Sequence, residues 1–220
     1  MDRVFIIDYL NELTIIMTEK KEYLIELDSK VGDGDLGLTM SEGFKAAYEA
    51  IRSSKEKDLG KLLFIAGKAM SSAVPSTMGT LMASGFMQAG KAFKGKDAMD
   101  DRESVDLLRA YVEGVMNRGK AKPGEKTFID GLLPAIDNME EAFEKDTNTQ
   151  QAIKAGLIGA IEGYDNTATM LAVHGRAAAR GEVSRQLKDP GAAVAILMMS
   201  ALDKSCLLYT SPSPRDMRRS

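Results

Sequence analysis

The sequence predicts an all-α protein, an antiparallel bundle of eight helices, and three observations carry that expectation. Apolar residues recur every three to four positions along nearly the whole chain, no run alternates as a strand would, and the periodic segments are separated by short Gly or Pro signals without a Pro/Ser-rich linker. The first helix follows from Ile7, Leu10, Leu13, Met17, Leu24 and Leu27, with a charged gap at Lys20 and Lys21 and a polar flank of Glu12, Glu19, Lys20 and Glu22. The same period covers 40–53, 58–73, 77–93, 101–118, 128–144, 148–175 and 190–204, punctuated at Gly37, Pro75, Gly95, Pro123-Gly124 and Pro190-Gly191. Two of these starts carry cap chemistry. Thr127 can cap the helix at 128, and Asp189 is a natural N-cap with Pro190 at the first helical position. No repeat of fixed period is present.

The chain has 220 residues, and its end reads differently from its body. Cys206-Leu-Leu-Tyr-Thr-Ser-Pro-Ser-Pro-Arg-Asp216 resembles the read-through translation of a transposon-type sequencing adaptor, and its polar Ser-Pro run follows abruptly on the apolar stretch from Ala192 to Leu202. We therefore expect one domain over 1–205, a non-native tail over 206–220, and a missing native C-terminus. Arg215, Asp216, Arg218 and Arg219 together carry +2, so the body stands at −5 against −3 for the whole chain. Once Cys206 is set aside the body has no cysteine, which removes disulfides, thiol chemistry and cysteine-based zinc sites. There is no signal-peptide plan at Met1 and no continuous apolar run of the roughly eighteen residues that a membrane span needs. The expectation is a cytosolic protein. An acidic balance with thirteen aromatics, none of them Trp, argues against a nucleic-acid surface. The fourteen methionines read as adaptable core filling.

The segment Asp28-Ser-Lys-Val-Gly-Asp33-Gly-Asp35-Leu-Gly-Leu-Thr39 carries the clearest chemistry. Three carboxylates lie close together on glycine-punctuated chain, where Gly32, Gly34 and Gly37 allow sharp turns and close approach of a ligand. Hard oxygens at this density suit Mg²⁺ held jointly by carboxylates and substrate phosphates. A helix starting near Thr39 would offer backbone N–H groups to an anion beside the metal. The bland alternative is a helix C-cap followed by an acidic turn. An EF-hand begun at Asp33 fails on spacing: its fifth, sixth and twelfth positions would be Gly37, Leu38 and Phe44.

Three further segments are individually weak. Ser71-Ser-Ala-Val-Pro-Ser-Thr-Met-Gly79-Thr80 is a small-residue turn that could pass close to a nucleotide or mark a helix crossing. Gly119-Lys-Ala-Lys-Pro-Gly-Glu-Lys-Thr127-Phe128 is a helix end and turn whose lysines can be read as solvated charge. Gly175-Arg176 and Asp189-Pro190-Gly191-Ala192 bracket a loop.

Taken in order, the Asp triple, the Gly-Thr turn, the Lys120–Thr127 block, Gly175-Arg-Ala and Asp189-Pro-Gly-Ala resemble the L subunit family of bacterial dihydroxyacetone kinases over about residues 1–204. The resemblance implies an eight-helix barrel, closed on itself, with ADP or ATP and Mg²⁺ at one end. Asp28, Asp33 and Asp35 match its metal ligands. Leu36, Gly37, Leu38 and Thr39 match the loop over the phosphates, with Ala73 and Val74 at the small-residue turn. Gly119 and Phe128 match positions lining the nucleotide, Arg176 a nucleotide-contacting arginine, and Asp189, Pro190 and Gly191 the loop that closes over it. The implied activity is glycerone kinase chemistry with two partners: a K subunit carrying the ketose on its own histidine, and a phosphohistidine donor of the phosphotransferase system. A homodimer is left open.

Departures from the family pattern keep the matched metal ligands and alter the surface that would meet the ketose-bearing partner. Leu36 stands where the family has His and Thr39 where it has Asn; Val74-Pro-Ser-Thr-Met-Gly79 replaces Ser-Gly-Pro-Leu-Tyr/Phe-Gly, and Gly175-Arg-Ala-Ala-Ala-Arg180-Gly-Glu-Val-Ser184 replaces Gly-Arg-Ala-Ser-Tyr-Leu-Gly-Glu-Arg-Ser. These leave the identity of the ketose open. The single histidine, His174, falls inside the apolar helical stretch 148–175, so we expect no residue that carries phosphate covalently and assign no catalytic side chain. The bound nucleotide would then be the carrier.

Overall fold

The computed structural model describes residues 1–210. Ten helices follow one another: α1 (Arg3–Glu19), α2 (Lys21–Ser29), α3 (Leu36–Ile51), α4 (Leu59–Ala73), α5 (Thr77–Ala92), α6 (Glu103–Gly119), α7 (Phe128–Glu144), α8 (Thr149–Asn166), α9 (Gly175–Ala178) and α10 (Pro190–Thr210). Short 3-10 turns occupy Thr167–Thr169 and Gly181–Gln186. Among the described residues the only extended pairing is an isolated bridge between Asp2 and Ala98.

Eight of the helices form a closed ring. From α3 to α8 each packs on the next, α10 packs on α8 and returns to α1, and α1 completes the circle on α3. The all-α barrel expected from the sequence is therefore present. Its interior is filled by the apolar stripes: Leu10, Leu13 and Met17 of α1, Met40 and Phe44 of α3, and Val194, Met198 and Met199 of α10 are all essentially inaccessible. A line of rings crosses this core, edge-on at 6.0 Å between centroids for Phe44–Phe86 and 5.1 Å for Phe86–Tyr111, and tilted at 6.3 Å for Tyr111–Phe128. Such pairs contribute about 0.5–1.5 kcal/mol each beyond their buried area.

Several helix starts are defined by side-chain caps. Asp58 accepts from the Lys61 N–H at 3.1 Å, Ser76 from Gly79 at 3.0 Å, and Asn148 from Gln151 at 2.9 Å within a capping box. The two caps expected at Thr127 and Asp189 are formed, Thr127 as a capping box with Asp130 and Asp189 through the Ala192 N–H at 2.7 Å.

Four element boundaries differ from the sequence expectation. The first periodic segment is two helices, because the chain turns at Lys20, within the charged gap, and α2 lies as a spur against α3. That approach depends on Gly37: a Cβ there would lie 2.1 Å from the Lys21 carbonyl oxygen. The second helix begins at Leu36 rather than 40, since Asp35 already occupies its N-cap position. The segment 148–175 stops being α-helical at Asn166, where Thr167 turns its hydroxyl back to the Tyr164 carbonyl at 2.6 Å. The last helix runs past 204 to Thr210, as no proline interrupts it before Pro212.

This last difference concerns the expected tail. Residues 206–210 continue α10, Cys206 is buried in the core, and Tyr209 packs edge-on against Phe5 at 5.6 Å. Residues 211–220 lie outside the described residues. The change in composition at 206 thus does not coincide with a change in structure. An eighteen-residue window within Gly181–Tyr209 reaches a mean hydropathy of 1.6, enough by composition for a membrane span, yet 61% of it is buried inside the barrel. It is the core helix of the ring. Truncation after Ser205 is expected to lower Tm by more than about 2 °C, on a scale where 1 kcal/mol is worth about 2–4 °C at this size. Differential scanning calorimetry of the shortened chain checks this, and a smaller shift would show that the contacts of Cys206 and Tyr209 add nothing.

Candidate functional site

Because neighbouring helices in the ring run in opposite directions, the N-termini of α3, α5, α7 and α10 gather at one end. There they surround an open cleft of about 770 Å³, lined by Leu36 at the start of α3, Ser76 and Thr77 at α5, Thr127 and Phe128 at α7, and Pro190 and Gly191 at α10. Each helix start brings the positive end of its macrodipole to this cleft, which favours an anion there.

Beside these helix ends stands the acid loop. Asp28 lies in the last turn of α2, and Gly34 takes φ +75, a conformation open to glycine at little steric cost. A Cβ on Gly32 would lie 2.6 Å from Asp28 Oδ1, so the loop closes tightly around that carboxylate. Asp35 occupies the N-cap position of α3 without making a capping hydrogen bond. Asp28, Asp33 and Asp35 each offer an oxygen, and these oxygens lie within 4.8 Å of one another. Burial raises the Asp28 carboxyl above the usual range; the Leu36 and Gly34 N–H groups oppose this, while Asp33 and Asp35 add to it. A divalent cation would remove the repulsion, and an all-carboxylate oxygen set fits Mg²⁺ shared with phosphate oxygens.

The connection between α8 and α10 crosses the mouth of the cleft. Arg176 meets Asp33 Oδ2 at 2.6 Å and Arg180 donates to the Val31 carbonyl at 3.4 Å, both on the acid loop. His174 is the N-cap of the short α9, not a mid-helix residue, and its Nε2 lies 2.5 Å from Glu125 Oε2. This corrects the expectation of a core helical histidine: the α8 helix ends earlier, and His174 lines the cleft. One lysine of the Lys120–Thr127 block is likewise not solvated. Lys126 is 3% exposed and donates to the carbonyls of Thr167 and Leu187.

Of the residues matched by resemblance, Asp28, Asp33, Asp35, Leu36, Gly119 and Phe128 line the cleft. So do Arg176, Asp189, Pro190 and Gly191. Gly37, Leu38 and Thr39 lie in the first turn of α3 outside the cleft lining, Leu38 exposed, and the Thr39 hydroxyl reaches the Ser76 Oγ at 3.4 Å. Ala73 and Val74 close α4 outside the cleft, Val74 buried. The sequence reading missed Arg118, Lys126 and His174 as cleft residues. The position of Arg118 in the last turn of α6 looks like ordinary C-terminal charge, and nothing in its surroundings in the chain distinguishes it.

The DAK2 domain model matches residues 30–204. This chain belongs to the DAK2 domain family. Among its DAK2 relatives it is 32% identical over 202 residues to the PEP-dependent dihydroxyacetone kinase, ADP-binding subunit DhaL, of Escherichia coli, covering 92% of this chain and 96% of that one. It is 33% identical over 199 residues to the L-erythrulose 1-kinase of Mycolicibacterium smegmatis, where it spans 90% of its own length and only 34% of the longer kinase. The fold is that of the dihydroxyacetone kinase from C. freundii solved in complex with AMP-PNP and Mg²⁺, with a TM-score of 0.68 at 22% identity over 90% of this chain and 33% of that chain.

Asp189 is buried, and burial pushes its carboxyl up to about 7; the Ala192 and Gly191 N–H groups and the Lys126 ammonium oppose this, and Asp130 adds to it. The folded state therefore binds this proton more tightly than the unfolded chain does, whose carboxyl keeps the ordinary 3.8. Between these values the native state holds more protons, so this group makes stability fall as pH rises. Asn keeps the capping oxygen without the charge. Asp189→Asn is expected to gain stability relative to the wild type as pH rises from about 4 to about 7 in urea titrations, and a difference independent of pH would contradict this.

Proposed function

We propose that this chain is the nucleotide-binding phosphotransferase subunit of a ketose kinase, passing a phosphoryl group through Mg-bound ADP/ATP to dihydroxyacetone or a related short ketose held on a separate K subunit. The observation that carries this reading is the joining of three clustered carboxylates to four converging helix N-termini in one cleft. The relatives named as an ADP-binding subunit and as an erythrulose kinase support it. The donor would be a phosphohistidine protein of the phosphotransferase system, and the place of action the cytoplasm.

Bound Mg²⁺ would neutralise charge on the β- and γ-oxygens during transfer. The remaining work falls to the chain. Asp28, Asp33 and Asp35 would hold the metal; the first-turn N–H groups of α3 and α5 would orient the phosphates; Arg176 supplies directed cationic donors at the same point. Phe128 and Gly119 line the cleft beside them and offer an apolar seat for a base. His174 is held by Glu125 at the rim, which gives it a role in loop placement rather than as a phosphate carrier. Catalysis of this kind is positioning and electrostatics.

Two measurements test the reading. Asp33→Asn and Asp35→Asn are expected to abolish Mg²⁺-dependent ADP binding by calorimetry while far-UV circular dichroism stays that of the wild type; full affinity in both variants would remove the metal assignment. Protein loaded with radiolabelled ADP and mixed with a phosphohistidine donor, a K subunit and ketose should turn over many times in excess unlabelled ATP and keep its label. Rapid loss of label would replace relay by ordinary nucleotide exchange, and no ketose phosphate under either regime would leave a nucleotide sensor.

A further inference from the structure

We propose that Lys126 is a positioning residue for nucleotide retention, a buried ammonium that staples the two roots of the α8–α10 connection while its neighbour Glu125 grips the middle. Thr167 begins that connection and Leu187 lies near its end, and the Lys126 ammonium donates to both carbonyls. A buried ammonium is tolerated only with such partners around it, and here the Asp189 carboxylate adds a favourable charge nearby. The backbone of Lys126 takes φ 61, in the left-handed region that side-chain-bearing residues seldom enter. Glu125 works on the opposite part of the same connection. Its carbonyl accepts from the Val173 N–H at 3.4 Å and its carboxylate meets His174 at 2.5 Å, two residues before the arginine that reaches Asp33.

Three other bonds hold the connection: the Asp189 N–H donates to the Thr167 hydroxyl at 2.9 Å, Lys188 pairs with Asp165 of α8 at 2.5 Å, and Arg180 reaches the Val31 carbonyl at 3.4 Å, but only Lys126 donates to both root carbonyls. No residue of α9 is buried. Ser184, fully buried, accepts from the Ala172 N–H at 3.1 Å and ties the connection to itself rather than to the barrel. The Arg176–Asp33 pair is exposed, and such pairs contribute little. Without Lys126 both roots lose their common donor, Asp189 loses its compensating charge, and Arg176 is no longer held over the acid loop. The geometry is independent of ligand; its consequence for retention rests on the nucleotide reading above.

The experiment compares the full chain with Lys126→Met, Lys126→Arg and Glu125→Ala, using hydrogen exchange of the nucleotide-free proteins and stopped-flow release of ADP in Mg²⁺. Lys126→Met should exchange faster across 167–189 with the ring helices unchanged, and should release ADP about tenfold faster while association stays within about twofold. Lys126→Arg, which can still donate to both carbonyls, should recover part of both effects. Wild-type exchange and release in Lys126→Met would overturn the proposal. If that variant does not fold, Glu125→Ala decides: exchange should quicken over 170–180 alone with release about threefold faster, and no change in either would overturn it. Should the wild type itself bind no ADP, the proposed function is what fails, and the exchange of 167–189 still judges the staple.

Discussion

Closure of eight helices into an antiparallel ring is the constraint from which the rest of this molecule follows. A helix in such a ring has neighbours of opposite direction, so every second N-terminus arrives at the same end. Four positive helix ends collect there, at α3, α5, α7 and α10. No single one of them amounts to a site. Together they make a floor suited to an anion, and the ring that aligns them is held by burial in its core, through the apolar stripes and the aromatic line that runs from Phe44 to Phe128 at the cleft.

Set against that floor is an excess of negative charge on one loop. Asp28, Asp33 and Asp35 are kept together by a tight turn at Gly32 and Gly34, and Asp35, at the N-cap of α3, makes no capping hydrogen bond. Carboxylates and helix N-termini facing the same space make a polarised cleft, able to take a cation on one side and an anion on the other. A metal–phosphate ligand satisfies both demands at once, and either half alone would leave the other uncompensated. Charge also organises the α8–α10 connection beside this cleft. Lys126 and Asp189 are buried near each other at the cleft wall, Glu125 meets His174 of the connection, and Arg176 of the connection meets Asp33 of the acid loop.

Much of this was legible along the chain. The acid loop is local, so its three carboxylates declare themselves by spacing. The caps at Thr127 and Asp189 are local too, since a cap is an interaction over three residues. His174 was misplaced because the apolar residues Leu171 to Val173 continue the helical pattern past Asn166, whereas the helix is stopped at Thr167 by its own hydroxyl and by a lysine distant in sequence. The same blindness made Lys126 look solvated. A buried lysine and an exposed one are spelled alike, and only the carbonyls that surround it make the difference.

By itself the sequence determined the helical class, the helices that build the ring and the clustering of the three acid-loop carboxylates, because helix periodicity, caps and a three-carboxylate cluster are properties of neighbouring residues. Tertiary structure alone decided that α2 folds back as a spur, that Cys206 and Tyr209 join the core, and that Lys126, His174 and Arg118 come to the cleft. Each of these depends on contacts between segments far apart in the chain, where a side chain's role is set by what the closed ring places opposite it and not by the residues on either side of it.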